Sequence, residues 1–270
     1  HLPGTDGKGG EPVKLLKLLK LLKLLKLEFF KCRHRKILLV CAAVLAVELI
    51  WMGAFFTRQD AEDLKWGWML LLYNLSMVDA IILPISVATL ASRNCELEHK
   101  GGTWKLLETM AAPGQLYAAK LSWGALVLAV LLIIRSALFL AVGMYQGFQG
   151  VIPWGRFGLF TLISWAVSMM VYALQQGLSL RFTNQAAALV CGIAGSFLGI
   201  LSMLFPPALI RCVPWGYYGL LALVDMDWDA ATRITTFSWR WPEGTDLILL
   251  FLWAAVFLAV GRTLFVRKEV

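Results

Sequence analysis

Residues 96–120 read ELEHKGGTWKLLETMAAPGQLYAAK, a polar and charged stretch between two long apolar segments. Its middle has helical periodicity. Trp104, Leu107 and Ala111 share one face, with Leu106 and Met110 beside it, while Lys105, Glu108 and Thr109 point elsewhere. Gly101-Gly102 breaks the chain before this piece and Pro113-Gly114 ends it. An isolated helix of about ten residues is marginal in water, so it needs a surface to pack on. That surface is either the membrane or a groove on a partner protein, and the residues leave both open.

The flanks of this stretch set the fold class. The chain has 270 residues, 59% hydrophobic and 16% charged, with 12 Trp. Its mean hydropathy is +0.71. Soluble domains are less apolar and more charged, so this is an integral membrane protein. Six apolar spans follow one another at 37–56, 67–91, 121–143, 157–180, 186–205 and 247–265. Each is close to the ~20 residues that cross a bilayer. Helices are required there, because their backbone bonds close within the segment.

The net charge is +8, but much of the basic charge flanks the spans, and no basic groove for nucleic acid is present. With both ends inside, the inner flanks hold about twice as many Lys and Arg as the outer side. The expectation is N-in and C-in, which puts residues 96–120 in the cytoplasm. The outer segment 206–246 is rich in Pro, Trp and Tyr, which prefer the headgroup level, and is read as short interfacial or re-entrant helices. The fold class expected is therefore all-α integral membrane, with an N-terminal interfacial helix over 14–36 and a flexible Gly-rich lead over 1–13. The repeat KLLKLLKLLKLLKL at 14–27 has a strict period of three and looks manufactured or low in complexity. On a helix its lysines spiral around the axis, which also suits an interfacial helix with snorkelling lysines.

Three ionisable residues fall inside spans: Glu48, Asp79 and Arg135. They lie about 12, 14 and 15 residues from the inner flank, roughly 18–23 Å at the helical rise. A lone charge at that depth costs at least ~2.5–3.5 kcal/mol, so a mutual network is expected. It either fastens three helices together or lines a path or switch. Arg135 at the same depth is expected to keep both acids ionised, which argues against a shared-proton acid pair. In the fifth span Gly195-x-x-x-Gly199, with Ala188 and Gly192 above it, is a face for close helix packing, within the chain or across a dimer. Gln175 and Gln176 fit a polar path or an ordinary interface, and Asp60, Glu62 and Asp63 a solvated outer loop or an attraction for cationic peptides. The five cysteines form no CxxC pair and the three histidines form no cluster, so no metal site is expected.

Three motifs carry a resemblance. These are E-x-x-x-G-T-W-K-L-L from Glu98, then PGQLYAAK entering the third span, and LEFFKCRHRK before the first. With six spans and both ends inside, the chain resembles the permease of type-2 ABC transporters, and is similar to the branch with bacitracin-type and lantibiotic self-protection permeases. The resemblance implies that Glu98, Gly102, Thr103, Trp104, Lys105, Leu107, Glu108 and Met110 couple to an ATP-binding subunit through a helix over 103–110. It also implies a second permease subunit, and an amphiphilic peptide or lipid-like cargo moved outward. The chain has no G-x-x-x-x-G-K-[ST] loop, so ATP and Mg are expected on the partner and no cofactor on this chain. Two other classes stand beside this reading: a non-transporting scaffold or sensor component, and an intramembrane enzyme. The second lacks HExxH and G-x-S-x-G.

Overall fold

The computed structural model describes residues 10–33, 37–60, 62–101, 109 and 111–266. A helix α1 (Gly10–Arg33) precedes the spans. Residues 10–13, expected as part of the flexible lead, belong to it; residues 1–9 lie outside the described residues. The six spans are α2 (Ile37–Phe56), α3 (Gly67–Gly101), α4 (Pro113–Tyr145), α5 (Trp154–Arg181), α6 (Gln185–Ser202) and, after the hairpin described below, α9 (Gly244–Val266). All six are long and apolar enough to cross a membrane.

Two of these helices outrun their apolar stretches. α3 continues about ten residues past Ala91, and α4 begins at Pro113, a proline in the first turn where its missing N–H costs nothing. The stretch 96–120 is therefore largely two helix ends. Gly101 still belongs to α3, and Pro113 starts α4. Between them, 102–108 and Met110 lie outside the described residues.

The bundle is built around α5. Over its most apolar window 56% of α5 is buried, against 11% for α9 and 17% for α2, so α5 is the axis and the other two are peripheral. One face of α5 carries a buried polar stripe, Ser164, Ser168, Tyr172, Gln175, Gln176 and Ser179, at helical spacing. α9 meets α5 through Gly177 and Gly261, where a Cβ on Gly177 would stand 2.9 Å from the Gly261 Cα. Pro84 sits inside α3 without ending the helix, as buried helices in a bundle permit.

The segment after α6 differs from its sequence reading. Its first half has the expected short helices, α7 (Pro207–Ile210), a 3-10 turn (Pro214–Gly216) and α8 (Tyr217–Leu220). Its second half is an antiparallel hairpin, β1 (Val224–Asp229) with β2 (Ile234–Trp239), pairing Val224 with Trp239 and Asp229 with Ile234. Period-two patterning explains it. Met226 and Trp228 alternate with Asp225, Asp227 and Asp229, and ITTFSW is β-branched and aromatic. Phe237 packs on Tyr73 of α3, with ring centroids 6.0 Å apart, which seats the hairpin on that end of the bundle.

Candidate functional site

Two buried charge clusters lie on α3 and α4. The first brings together Glu48, Asp79 and Arg135, which are 2%, 1% and 4% exposed. The Arg135 Nε donates to both Glu48 oxygens, at 2.9 and 3.0 Å, and its Nη1 donates to Asp79 Oδ2 at 3.4 Å. Nη2 donates to both carboxylates as well. The Ser164 hydroxyl of α5 donates to Asp79 Oδ2 at 2.9 Å. The planar guanidinium thus joins α2 to α3, engaging both carboxylates through its fork of N–H donors. One helical turn further along α5, Ser168 shares a 3.0 Å hydrogen bond with the Tyr218 hydroxyl of α8.

The second cluster was not read from the sequence. Lys120 of α4, only 2% exposed, donates to Glu28 Oε2 of α1 at 3.0 Å and to the Asn94 carbonyl of α3 at 3.0 Å. It also pairs with Glu98 Oε1 at 2.9 Å. Lys31 closes the ring, 3.3 Å from Glu28 and 3.1 Å from Glu98. Two acids and two ammonium groups, from three helices, therefore balance each other. Asn94 also donates to the Tyr172 hydroxyl at 3.3 Å, which ties the cluster to the polar stripe of α5. In the sequence Lys120 and Lys31 pass for topology charges beside spans. The available signal was Lys120 inside an apolar helical run, where a lysine requires a partner.

Of the residues expected to couple to a partner, Glu98 sits in this second cluster. Gly102, Thr103, Trp104, Lys105, Leu107, Glu108 and Met110 lie outside the described residues.

The small residues of α6 face into this chain. Ala188 is fully buried, and Gly192 lies against Ala88 of α3. Gly195 lies under the Trp215 indole, and a Cβ on Gly199 would be 2.8 Å from the Trp215 carbonyl oxygen. Small side chains thus let the 3-10 turn descend onto α6. Gln175 and Gln176 are fully buried and fasten helices, Gln176 by donating to the Tyr117 carbonyl at 3.1 Å. Asp60 and Asp63 are exposed.

At the hairpin end, Arg211 donates to Asp246 at 2.6 Å and to Glu243 at 2.8 Å, and these bonds hold its guanidinium above its ordinary range. Burial, with Asp246 nearby, pushes the Tyr217 phenol up to about 12. Arg156 lies 3.8 Å over the Trp241 ring.

Six apolar helices, three of them joined by buried ion pairs, define a multi-pass membrane protein. A family model described as ABC-2 family transporter protein matches residues 24–224, which include both clusters. The chain belongs to that family, whose members are membrane components of transporters and act with an ATP-binding cassette partner. No curated protein matches it.

Proposed function

We propose that this chain is the permease subunit of an ATP-driven exporter of a bacterial plasma membrane, with both termini and the Lys120 end in the cytoplasm. Its cargo is an amphiphile such as an antimicrobial peptide of the lantibiotic or bacitracin type, moved outward from the bilayer. A second permease subunit, identical or paralogous, completes the path. ATP and Mg act on the separate cassette subunit, which engages residues 103–110.

One observation carries this reading: both roots of the 102–112 segment are held in the same buried cluster. Glu98 stands three residues before the end of α3, and Lys120 seven residues into α4. Their 2.9 Å pair, shared with Glu28 of α1, makes the two roots and the N-terminal helix move together. α3 and α4 then run unbroken for about 50 Å each at the helical rise. A displacement imposed on the segment passes along them to Asp79 and Arg135, the form of linkage an external motor needs. A surface helix lying on lipid has no use for so firm a mounting.

Co-purification with an ATP-binding cassette subunit from the same cell tests the reading. The chain is expected to recover that subunit, and a chain lacking 103–110 is expected not to. Equal recovery by both removes the main support for coupling through this segment.

A further inference from the structure

The two clusters differ in one count. Around Lys120 two carboxylates meet two ammonium groups. Around Arg135 two carboxylates meet one guanidinium, and the Ser164 hydroxyl is neutral. Among the described residues no other cation pairs with Glu48 or Asp79. If Arg135 keeps both acids ionised, one negative charge is left over, deep in the bundle where an uncompensated charge is costly.

A cavity of about 50 Å³ adjoins this cluster, between α2, α3 and α4. Glu48 and Arg135 form its charged end, and Leu83, Leu128 and Leu132 its apolar walls. Cys41 and Leu45 of α2 and Ser86 of α3 line it too and are only partly buried, so the cavity has a mouth on the outer surface of the bundle. In a membrane that mouth faces lipid. The volume is about that of one or two waters, enough for an ammonium head and its first methylene and not for a whole peptide. An anion entering there meets surplus negative charge. A neutral alkyl group leaves the surplus as it was. A single positive charge on an alkyl stem satisfies the carboxylate and the leucines together.

We propose that this cavity binds the cationic group of an amphiphile, an alkylammonium or a lysine-like side chain, with Glu48 as its counter-charge. Asp79 contributes by occupying half of the Arg135 fork, which leaves Glu48 incompletely neutralised. The inference deepens the export reading by assigning a cationic cargo, and it rests on that reading only for transport, since binding is a property of the chain alone.

Cys41 reports on the site. In the full chain, with the other four cysteines replaced by serine, labelling of Cys41 by N-ethylmaleimide is measured in zwitterionic nanodiscs at fixed pH. The probes are dodecylamine and dodecanol, which share one alkyl chain and differ in charge. At about ten times its dissociation constant, dodecylamine is expected to slow labelling about tenfold. Dodecanol is expected to leave the rate unchanged. Glu48→Gln and Asp79→Asn, which each remove the surplus, are each expected to abolish the difference. A chain keeping only Cys191, exposed on α6, is expected to show no protection. Equal effects of the two probes, no effect of either, protection that survives both substitutions, or equal slowing at Cys191 would overturn the proposal. The comparison of probes on the unsubstituted cluster stands even where a variant fails to fold. Protection at Cys41 alongside failed recovery of a cassette subunit would leave the site in place and remove the exporter.

Discussion

Replacing Lys120 by Met removes one charge while keeping the length of the stem. The three ammonium protons have three acceptors, Glu28 Oε2 at 3.0 Å, the Asn94 carbonyl at 3.0 Å and Glu98 Oε1 at 2.9 Å. Without Lys120, Glu28 and Glu98, 4% and 1% exposed, share Lys31 alone. One carboxylate is then buried without a counter-charge. Breaking a buried pair by deleting one partner costs about 3–5 kcal/mol. Lys31 still reaches both acids, so the expected loss lies near the lower bound, about 3 kcal/mol or two decades in the unfolding equilibrium. Lys31→Met is a different case. Its side chain is 23% exposed and its bonds are 3.1 and 3.3 Å long. Its loss is expected to cost about 1 kcal/mol or less, as for a partly solvated pair.

Unfolding by sodium dodecyl sulfate in mixed micelles, followed by tryptophan fluorescence, measures both variants. Adding Glu98→Gln to Lys120→Met removes the orphaned carboxylate and is expected to recover about 1–2 kcal/mol, within the range of coupling between contacting residues. The reasoning fails if Lys120→Met costs less than about 1 kcal/mol, the level of an exposed pair. It also fails if the two lysine variants are equal.

Other perturbations follow from the same geometry. Arg135→Met is expected to destabilise by about 3–5 kcal/mol in the same assay, and Arg135→Lys to recover only part of it, since one ammonium would replace the fork of hydrogen bonds that the guanidinium makes to Glu48 and Asp79. In a reconstituted complex, unchanged transport and ATPase stimulation by a folded Arg135→Met chain would reduce the cluster to a fastener. Gly199→Ala places a methyl against the Trp215 carbonyl oxygen and is expected to cost about 1–3 kcal/mol by overpacking, with a shifted tryptophan emission. In the hairpin turn the Ala231 amide, and after it the Thr232 hydroxyl, hold the Asp229 carboxyl below the usual carboxylate range. A depressed value means that Asp229 stabilises the turn above its unfolded midpoint, and that this contribution is lost as pH falls through the folded one. The Ala231 amide shift in an NMR titration is expected to turn below pH ~3.9, the ordinary Asp value, and a midpoint at or above it contradicts the assignment.

The parts of this structure that obey one strong constraint were legible in the sequence. Hydrocarbon demands about twenty apolar residues per helix, which locates the six spans. It also punishes lone charge, which makes Glu48, Asp79 and Arg135 conspicuous by their shared depth. The same measure hid other features. Hydropathy marks the hydrocarbon layer and not the helix, so the polar ends of α3 and α4 passed for loop. Lys120 and Glu28 sit where flanking charges set orientation, and nothing local distinguishes a topology charge from half of a buried pair. The hairpin was masked by its tryptophans and by the prolines on either side of it, which signal an interface whatever the backbone does. The alternation in VDMDWD was the clue.

The two clusters divide the bundle into parts that share α3 and α4 as rods. α1 joins them at the Lys120 end, through Glu28 and Lys31. α2 joins them in the membrane through Glu48, with Met52 and Phe56 buried one and two turns beyond. A balanced cluster resists being pulled apart, because separating any member strands a charge on both sides. The Arg135 cluster is expected to yield more readily, because a cation bound in the cavity, as proposed above, would compete with Arg135 for Glu48. The firm joint is therefore the one beside 102–112, and the yielding joint holds the helix that borders the cavity. Force applied at the ends of these rods and charge delivered at the cavity, midway along them, act on the same two helices, so filling the cavity and moving the loop roots are expected to bias one another by the same amount.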